Sequence, residues 1–103
     1  VRVVLVEPAY TRTSFEGNVY QADQQLDVYK SARTNAEGVM REEMKTADAP
    51  ELVANAVVKA ATDAKPDRRY AAGRMARQVS LLRRFVPASA FDKSLRKQMR
   101  LPA

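Results

Sequence analysis

The chain contains no cysteine, no histidine and no tryptophan. Without cysteine there are no disulfides, no thiolate nucleophiles and no thiolate metal ligands, which fits a cytoplasmic protein. Without histidine the commonest general base and the commonest metal ligand are missing, so we expect no metal site. Any chemistry would have to use Asp, Glu, Lys, Tyr, Ser or Thr side chains.

Glycine and long apolar runs are also scarce. The three glycines, at positions 17, 38 and 73, cannot form a glycine-rich phosphate turn. No apolar run approaches the roughly 20 residues needed to cross a bilayer. The apolar run at the start, Val3 to Val6, is too short for a signal peptide before Glu7-Pro8. Because the chain starts inside an apolar strand pattern and without Met, we expect that it continues upstream.

The first half of the sequence predicts a strand followed by a loop and helices. A length of 103 residues with 46% apolar side chains allows one small domain with a core. The continuous apolar run predicts a strand over residues 2–7, buried on both faces of a parallel sheet and ended by Pro8. Residues 24–45 predict a helix in two pieces, with a break near Asn35 and Gly38.

The second half predicts a helix, a second strand and further helices. Asp48 is the expected N-cap of a helix that has Pro50 in its first turn and ends near Asp63. Residues 69–73 predict a strand, and the apolar spacing that follows predicts a helix stopped by Pro87 and a last helix capped by Ser89. The whole pattern predicts an α/β fold with two parallel strands and about five helices. Two parallel strands need further strands beside them and helices on both faces.

The charge is unevenly distributed. Residues 1–64 carry seven basic and ten acidic side chains, whereas residues 65–103 carry eleven basic and two acidic ones. A basic tail is typical of proteins that bind nucleic acid, an anionic membrane or an acidic partner, but it can also be a solvated face. There is no nucleic-acid docking motif and aromatic residues are sparse, so we expect no nucleic acid. Modest apolar faces without tryptophan also argue against a membrane partner.

Given this order of elements, residues 2–13 resemble part of the last third of proteins of the short-chain dehydrogenase/reductase family. In that family the sixth strand ends in Pro-Gly and a Thr follows four residues after the Gly; Pro8, Ala9 and Thr13 take those places here. Residues 48–54 resemble the helix that follows, residues 68–73 the seventh strand, and residues 81–92 the tail of bacterial members. The resemblance implies the C-terminal part of a doubly wound parallel-sheet (Rossmann-type) domain.

The same resemblance implies an NAD or NADP cofactor, hydride transfer between nicotinamide and a carbonyl or alcohol substrate, and a homo-oligomer. The Thr11 backbone would meet the nicotinamide carboxamide, and the Thr13 hydroxyl would meet the carboxamide or the pyrophosphate. The expected cofactor-binding residues are Pro8, Ala9, Tyr10, Thr11 and Thr13. The expected substrate-binding residues are Phe15, Val19, Tyr20, Val39 and Met40, with helix packing as the alternative role for each of them.

The expected organisation is a single partial domain. It divides into a strand and nicotinamide-end loop (1–13), a substrate loop with helices (14–45), a helix and the last strand (46–73), and basic C-terminal helices (74–103).

The family's catalytic set of Ser, Tyr and a Lys four residues after the Tyr is not found. No tyrosine has a lysine four residues later: the residue at that spacing is Ser after Tyr10, Gln after Tyr20, and Arg after Tyr29 and Tyr70. We therefore expect no catalytic residue in this chain and no catalysis by the chain alone; the missing N-terminal half of the domain would be its partner. The alternatives are a truncated or vestigial protein without activity, and a binding module that uses its basic tail on an anionic membrane or partner.

Overall fold

A computed structural model describes residues 1–102 as an α/β arrangement of two parallel strands and four helices. This confirms the expected order of strand, helices, strand, helices. Two short 3₁₀ turns, Glu16–Asn18 and Asp27–Tyr29, interrupt the long loop after the first strand. The strands are β1 (Leu5–Pro8) and β2 (Arg69–Ala72), and the helices are α1 (Lys30–Met44), α2 (Pro50–Thr62), α3 (Arg74–Phe85) and α4 (Ala88–Gln98).

The two strands pair in parallel from Leu5 opposite Arg69 to Pro8 opposite Ala72. The first strand therefore begins later than the expected residue 2, because β2 offers no partner for residues 2–4. The Leu5 amide donates to the Arg68 carbonyl at 3.0 Å, where the ladder starts. Pro8 ends the strand as expected, since its nitrogen has no hydrogen to donate to the ladder.

Helix α1 is continuous, so the expected break near residue 35 is wrong. The Asn35 side chain does not compete with the helical hydrogen bonds of the nearby backbone, because its amide donates to the Arg100 carbonyl at 2.9 Å. Gly38 lies inside the same helix, and its reduced helix propensity is not enough to interrupt fifteen consecutive helical residues. The expected fifth helix is absent from residues 1–102 for this reason.

The beginnings of α2 and α4 also differ from expectation. Ala49, not Asp48, is the N-cap residue of α2, and no side chain caps it. Asp48 instead uses its backbone to hold the loop after β1, as described below. Pro87 is the N-cap residue of α4, so Ser89 lies inside that helix. The expected position of Pro50 and the expected end of α2 beside Asp63 are confirmed.

Helices cover both faces of the short sheet. Because side chains alternate along a strand, Val4 and Val6 face α2, where they line a cleft with Val57. Glu7 faces the opposite side, where it lines a larger cavity beneath α3 and α4. No helix among residues 1–102 combines the length and the apolar character needed to cross a membrane.

The packed core is small for a chain of this size. Its buried apolar residues are Val39, Ala72 and Ala76. The accessible surface is 8834 Å², whereas a compact monomer of this mass exposes about 5,800 Å². The radius of gyration is 16.6 Å, against about 13 Å for a compact domain of this length. The expectation that the first strand is buried on both faces is wrong, since Leu5 is 49% exposed.

Candidate functional site

The loop that follows β1, residues 9–13, is fixed by the segment that precedes α2. The Asp48 amide donates to the Tyr10 carbonyl at 3.1 Å, and the Arg12 amide donates to the Asp48 carbonyl at 2.9 Å. Together these bonds make a parallel bridge between Thr11 and Asp48. The loop is therefore held as an irregular extension of the sheet, at the carboxyl end of β1.

This bridge fixes the direction of the Thr11 backbone. In this parallel bridge Asp48 bonds to the two neighbours of Thr11, Tyr10 and Arg12. The amide and carbonyl of Thr11 itself therefore point away from Asp48. Neither group has a hydrogen-bond partner among residues 1–102. A half-buried backbone donor and acceptor are thus presented side by side to the space beyond the strand, and a carboxamide offers the complementary acceptor and donor.

The two threonine hydroxyls of the loop are held by local bonds. The Thr11 hydroxyl donates to the Ala9 carbonyl at 3.1 Å. The Thr13 hydroxyl accepts the Phe15 amide at 3.3 Å, which leaves its proton free to donate to a ligand oxygen. The φ of Ala9 is not positive, since Arg100 alone among the non-glycine residues of 1–102 has a positive φ. Ala9 therefore needs no glycine-like conformation. The exchange of Gly for Ala at this position is therefore compatible with the loop geometry.

The carboxyl ends of both strands meet at this site. Gly73 directly follows β2 and has a φ of 101°, which is a conformation that L side chains rarely adopt. A Cβ atom built on Gly73 would lie 2.2 Å from Asp48 Oδ2, so a larger residue would displace the Asp48 carboxylate as well as strain the backbone. Asp48 therefore joins three segments: the loop after β1, the start of α2 and the end of β2.

The expected substrate-binding residues are not gathered in one place. Phe15, Val19 and Tyr20 lie on the surface, and Tyr20 is almost fully exposed. Val39 is 4% exposed within α1, and its neighbour Met40 is partly buried. None of the five lines the large cavity described next. Their assignment to a substrate stays a prediction, and the burial of Val39 fits the alternative role of helix packing.

A cavity of about 760 Å³ lies between the sheet and the two C-terminal helices. Its floor is the end of β1 and the start of the loop, including Pro8, Ala9 and Tyr10 of the expected cofactor site. Thr11 and Thr13 do not line it. Its walls are apolar side chains from α3 and α4, namely Met75, Ala76, Val79, Leu95 and Met99.

The charged groups of the cavity lie on its rim. Arg69 Nη1 is 2.6 Å from Glu7 Oε1, so these two charges are paired across the strands. The guanidinium of Arg83 lies 5.4 Å from the centre of the Phe91 ring, and Arg84 lies 5.6 Å from that of Phe85. Arg83 and Arg84 have no carboxylate partner among residues 1–102. The cavity thus combines an apolar wall with two positive charges that pair with no carboxylate of residues 1–102.

Sequence reasoning missed this cavity, although its signal was present. The apolar spacing predicted Leu95 and Met99 on one face of the last helix, and both line the cavity. For α3 it predicted Met75, Val79, Leu82 and Phe85 on one face, with Arg83 and Arg84 away from it. This is only partly right, because Met75 and Val79 line the cavity together with Arg83 and Arg84, whereas Leu82 and Phe85 are exposed. Pro87 separates these helices, and their relative orientation, which the spacing does not specify, turns both faces toward the same end of the sheet. Among residues 1–102 there is no group of three or more acidic side chains arranged to hold a metal ion.

Comparison with protein-family models, with curated protein sequences and with solved structures finds no match to this chain.

Proposed function

We propose that this chain is the C-terminal, substrate-side part of an NAD(P)-dependent short-chain dehydrogenase/reductase. In the intact enzyme, hydride would pass between the nicotinamide ring and a carbonyl or alcohol substrate. The chain would supply the nicotinamide-end loop, and the missing N-terminal half of the domain would supply the phosphate-binding turn and the catalytic Ser, Tyr and Lys. Alone, the chain is not catalytic.

The observation that carries the proposal is the orientation of Thr11. Ligands of open α/β sheets bind beyond the carboxyl ends of the parallel strands, which is where this loop lies. The outward amide and carbonyl of Thr11 match the hydrogen-bonding groups of the nicotinamide carboxamide. The free proton of the Thr13 hydroxyl can be donated to the carboxamide or to a pyrophosphate oxygen. The cofactor supplies the hydride chemistry, and these residues would orient it.

A second observation supports the expectation of an upstream half. The outer edge of β1 has no strand partner among residues 1–102. Beside it lies a surface, which we call the β1-edge surface, whose apolar side chains include Val4, Val6, Val57 and Ala61 and which also contains Arg2 and Asp63. An unpaired strand edge next to apolar side chains is a template for a further strand. Additional parallel strands and their helices would cover both, as in a doubly wound sheet.

The first experiment is to determine the mass of the native protein by isolating it from its source with an antibody against α4, followed by N-terminal sequencing. The proposal predicts a longer chain with a glycine-rich turn and a Tyr-x-x-x-Lys pattern upstream of Val1. A native protein that begins at Val1 would overturn the assignment to a dehydrogenase and favour the truncated or vestigial alternative.

The second experiment tests the nicotinamide loop directly. The isotope-labelled chain is titrated with nicotinamide mononucleotide, and amide shifts are followed by NMR. We expect weak binding, with a Kd on the order of 1 mM, because only half of the site is present. The largest shifts should occur at Thr11 and Thr13. Thr13→Ala should weaken binding about fivefold, which corresponds to the loss of one hydrogen bond.

Two matched variants control this titration. Thr13→Ser keeps the hydroxyl and should keep the affinity. Ser14→Ala removes a neighbouring exposed hydroxyl and should also leave the affinity unchanged, because Asn18 bonds to the Ser14 backbone carbonyl and not to its side chain. Shifts confined to other parts of the chain, or equal losses in the Ser14 and Thr13 variants, would contradict the proposed role of the loop.

A further inference from the structure

We propose that the cavity beneath α3 and α4 binds a single-chain anionic amphiphile, such as a long-chain fatty acid. The apolar chain would lie along the wall formed by both helices, and the carboxylate would lie at Arg83 and Arg84. The cavity shares Pro8, Ala9 and Tyr10 with the expected cofactor site, whereas Thr11 and Thr13, which carry the proposed nicotinamide contacts, do not line it.

The first step of the argument is the size and lining of the cavity. Its volume of about 760 Å³ lies within the roughly 300–1,000 Å³ typical of small-molecule sites. The large apolar side chains on its wall are incompletely buried: Val79 is 45% and Leu95 is 42% exposed. Both face a concave space between two helices and the sheet. Covering them with an alkyl chain would remove apolar surface from water, which is the main source of affinity for such ligands.

The second step is the charge on the rim. Glu7 neutralises Arg69, which leaves Arg83 and Arg84 as the unneutralised charges of the lining. The contact of Arg83 with the Phe91 ring occupies one face of the guanidinium. Its N–H groups, which lie in the plane of the guanidinium, remain available for two parallel bonds to a carboxylate. An anionic head group is therefore the complement of this rim, and a cationic or neutral head group is not.

The third step distinguishes a single bound molecule from a lipid surface. The apolar side chains of the wall point into a cavity whose floor is the sheet, and not outward from a helix lying flat on a plane. One alkyl chain can reach them, whereas a bilayer surface would meet the outer sides of α3 and α4. A free amphiphile is therefore the occupant that fits both the apolar wall and the rim.

The test is a fluorescence titration of the chain with parinaric acid, a polyene fatty acid whose emission rises in an apolar site, kept below its critical micelle concentration. We expect saturable binding with one molecule per chain. The methyl ester of the same acid lacks the charge and should bind about tenfold more weakly. Anionic phospholipid vesicles serve as the second arm, with co-sedimentation as the readout.

Matched variants assign the site. Arg83→Gln with Arg84→Gln should weaken binding of the acid about tenfold and leave binding of the ester unchanged. Arg74→Gln with Arg77→Gln removes the same net charge from the same helix outside the cavity and should have little effect. Val79→Asp places a carboxylate on the apolar wall and should abolish binding. Since Val79 is nearly half exposed, this variant should fold, as checked by far-ultraviolet circular dichroism.

Three results would overturn the proposal: no saturable binding of the acid, equal affinity for acid and ester, or equal losses in the two arginine pairs. Binding to anionic vesicles without binding of the monomeric acid would instead assign the basic helices to a membrane surface. The fatty-acid assay contains no nicotinamide. A negative result in it would therefore not contradict the proposed nicotinamide loop, and a negative nicotinamide titration would not contradict the fatty-acid site.

Discussion

Replacing Gly73 by alanine should destabilise the junction between the two strands and α2. At a φ of 101° and a ψ of 166°, residue 73 lies in a region essentially confined to glycine. Holding another residue there costs about 2 kcal/mol, within the range of 1–3 known for such strain. The new Cβ would also lie 2.2 Å from Asp48 Oδ2, so the Asp48 side chain has to rotate away. We assign about 1 kcal/mol to this displacement, since only the end of a flexible side chain has to move.

The total of about 3 kcal/mol corresponds to a fall in Tm on the order of 15 °C for a chain of this length. The local assay is amide hydrogen exchange by NMR. The Arg12 and Asp48 amides are bonded across the loop, and they should exchange at least about thirtyfold faster, which corresponds to roughly 2 kcal/mol of local stability. The Asp63 amide at the far end of α2 is the internal reference.

A double-mutant cycle with Asp48→Ala separates the two contributions. In the Asp48→Ala background the displacement is already relieved, so Gly73→Ala should cost only about 2 kcal/mol there. The reasoning is refuted if Gly73→Ala leaves the Tm and the two amides unchanged, which would show that the close approach does not exist in solution. If Asp48→Ala removes the whole effect, the backbone strain is absent.

Three further predictions concern other parts of the chain. Gly38→Ala should stabilise the protein by about 1 kcal/mol in thermal unfolding, because the glycine lies in the interior of α1 with nothing within 4 Å of an added Cβ; a loss of stability would show a hidden contact. Asn35→Ala should speed exchange of the Leu101 amide and trypsin cleavage after Arg100, since it removes one of the two bonds between Arg100 and α1 and leaves the Arg100–Glu42 ion pair; unchanged rates would show that the Asn35 bond is not formed. The isolated chain should self-associate in sedimentation velocity, and Val57→Glu on the β1-edge surface should reduce this more than Val58→Glu, which lies outside that surface; equal effects would point to general charge repulsion.

Much of the fold was predictable because it depends on local sequence. The apolar run ended by Pro8, the position of Pro50 and the helical spacing after Gly73 each reflect a backbone or burial preference acting over a few residues. Parallel pairing followed from the order strand, helix, strand, because a helical crossover returns the chain in the same direction. These parts of the expectation are confirmed by β1, β2 and the four helices.

The errors arose where distant residues decide the local structure. Asn35 continues a helix because its amide is bonded to the Arg100 carbonyl, sixty-five residues away. Asp48 does not cap α2 with its side chain, because that side chain packs on Gly73 and its backbone bonds to the loop after β1. The cavity was missed for the same reason: only part of its wall, Met75 and Val79 on α3 and Leu95 on α4, followed from the apolar spacing. The convergence of the two helices depends on the angle between them, which no local pattern encodes.

The amount of uncovered surface bears on what kind of partner the chain needs. The accessible area of 8834 Å² exceeds that of a compact monomer of this mass by about 3,000 Å². A standard protein interface covers about 800 Å² on each partner, so one symmetric dimer contact would cover roughly a quarter of the excess. An interface resembling a domain core cut in half covers about 1,000–2,500 Å² on each partner, which is up to most of the excess. Under the proposed function, an upstream half-domain would cover more of the excess than a second copy of this chain. Self-association of the isolated chain is then expected to be weak and heterogeneous, and a single tight dimer in sedimentation velocity would contradict this reasoning.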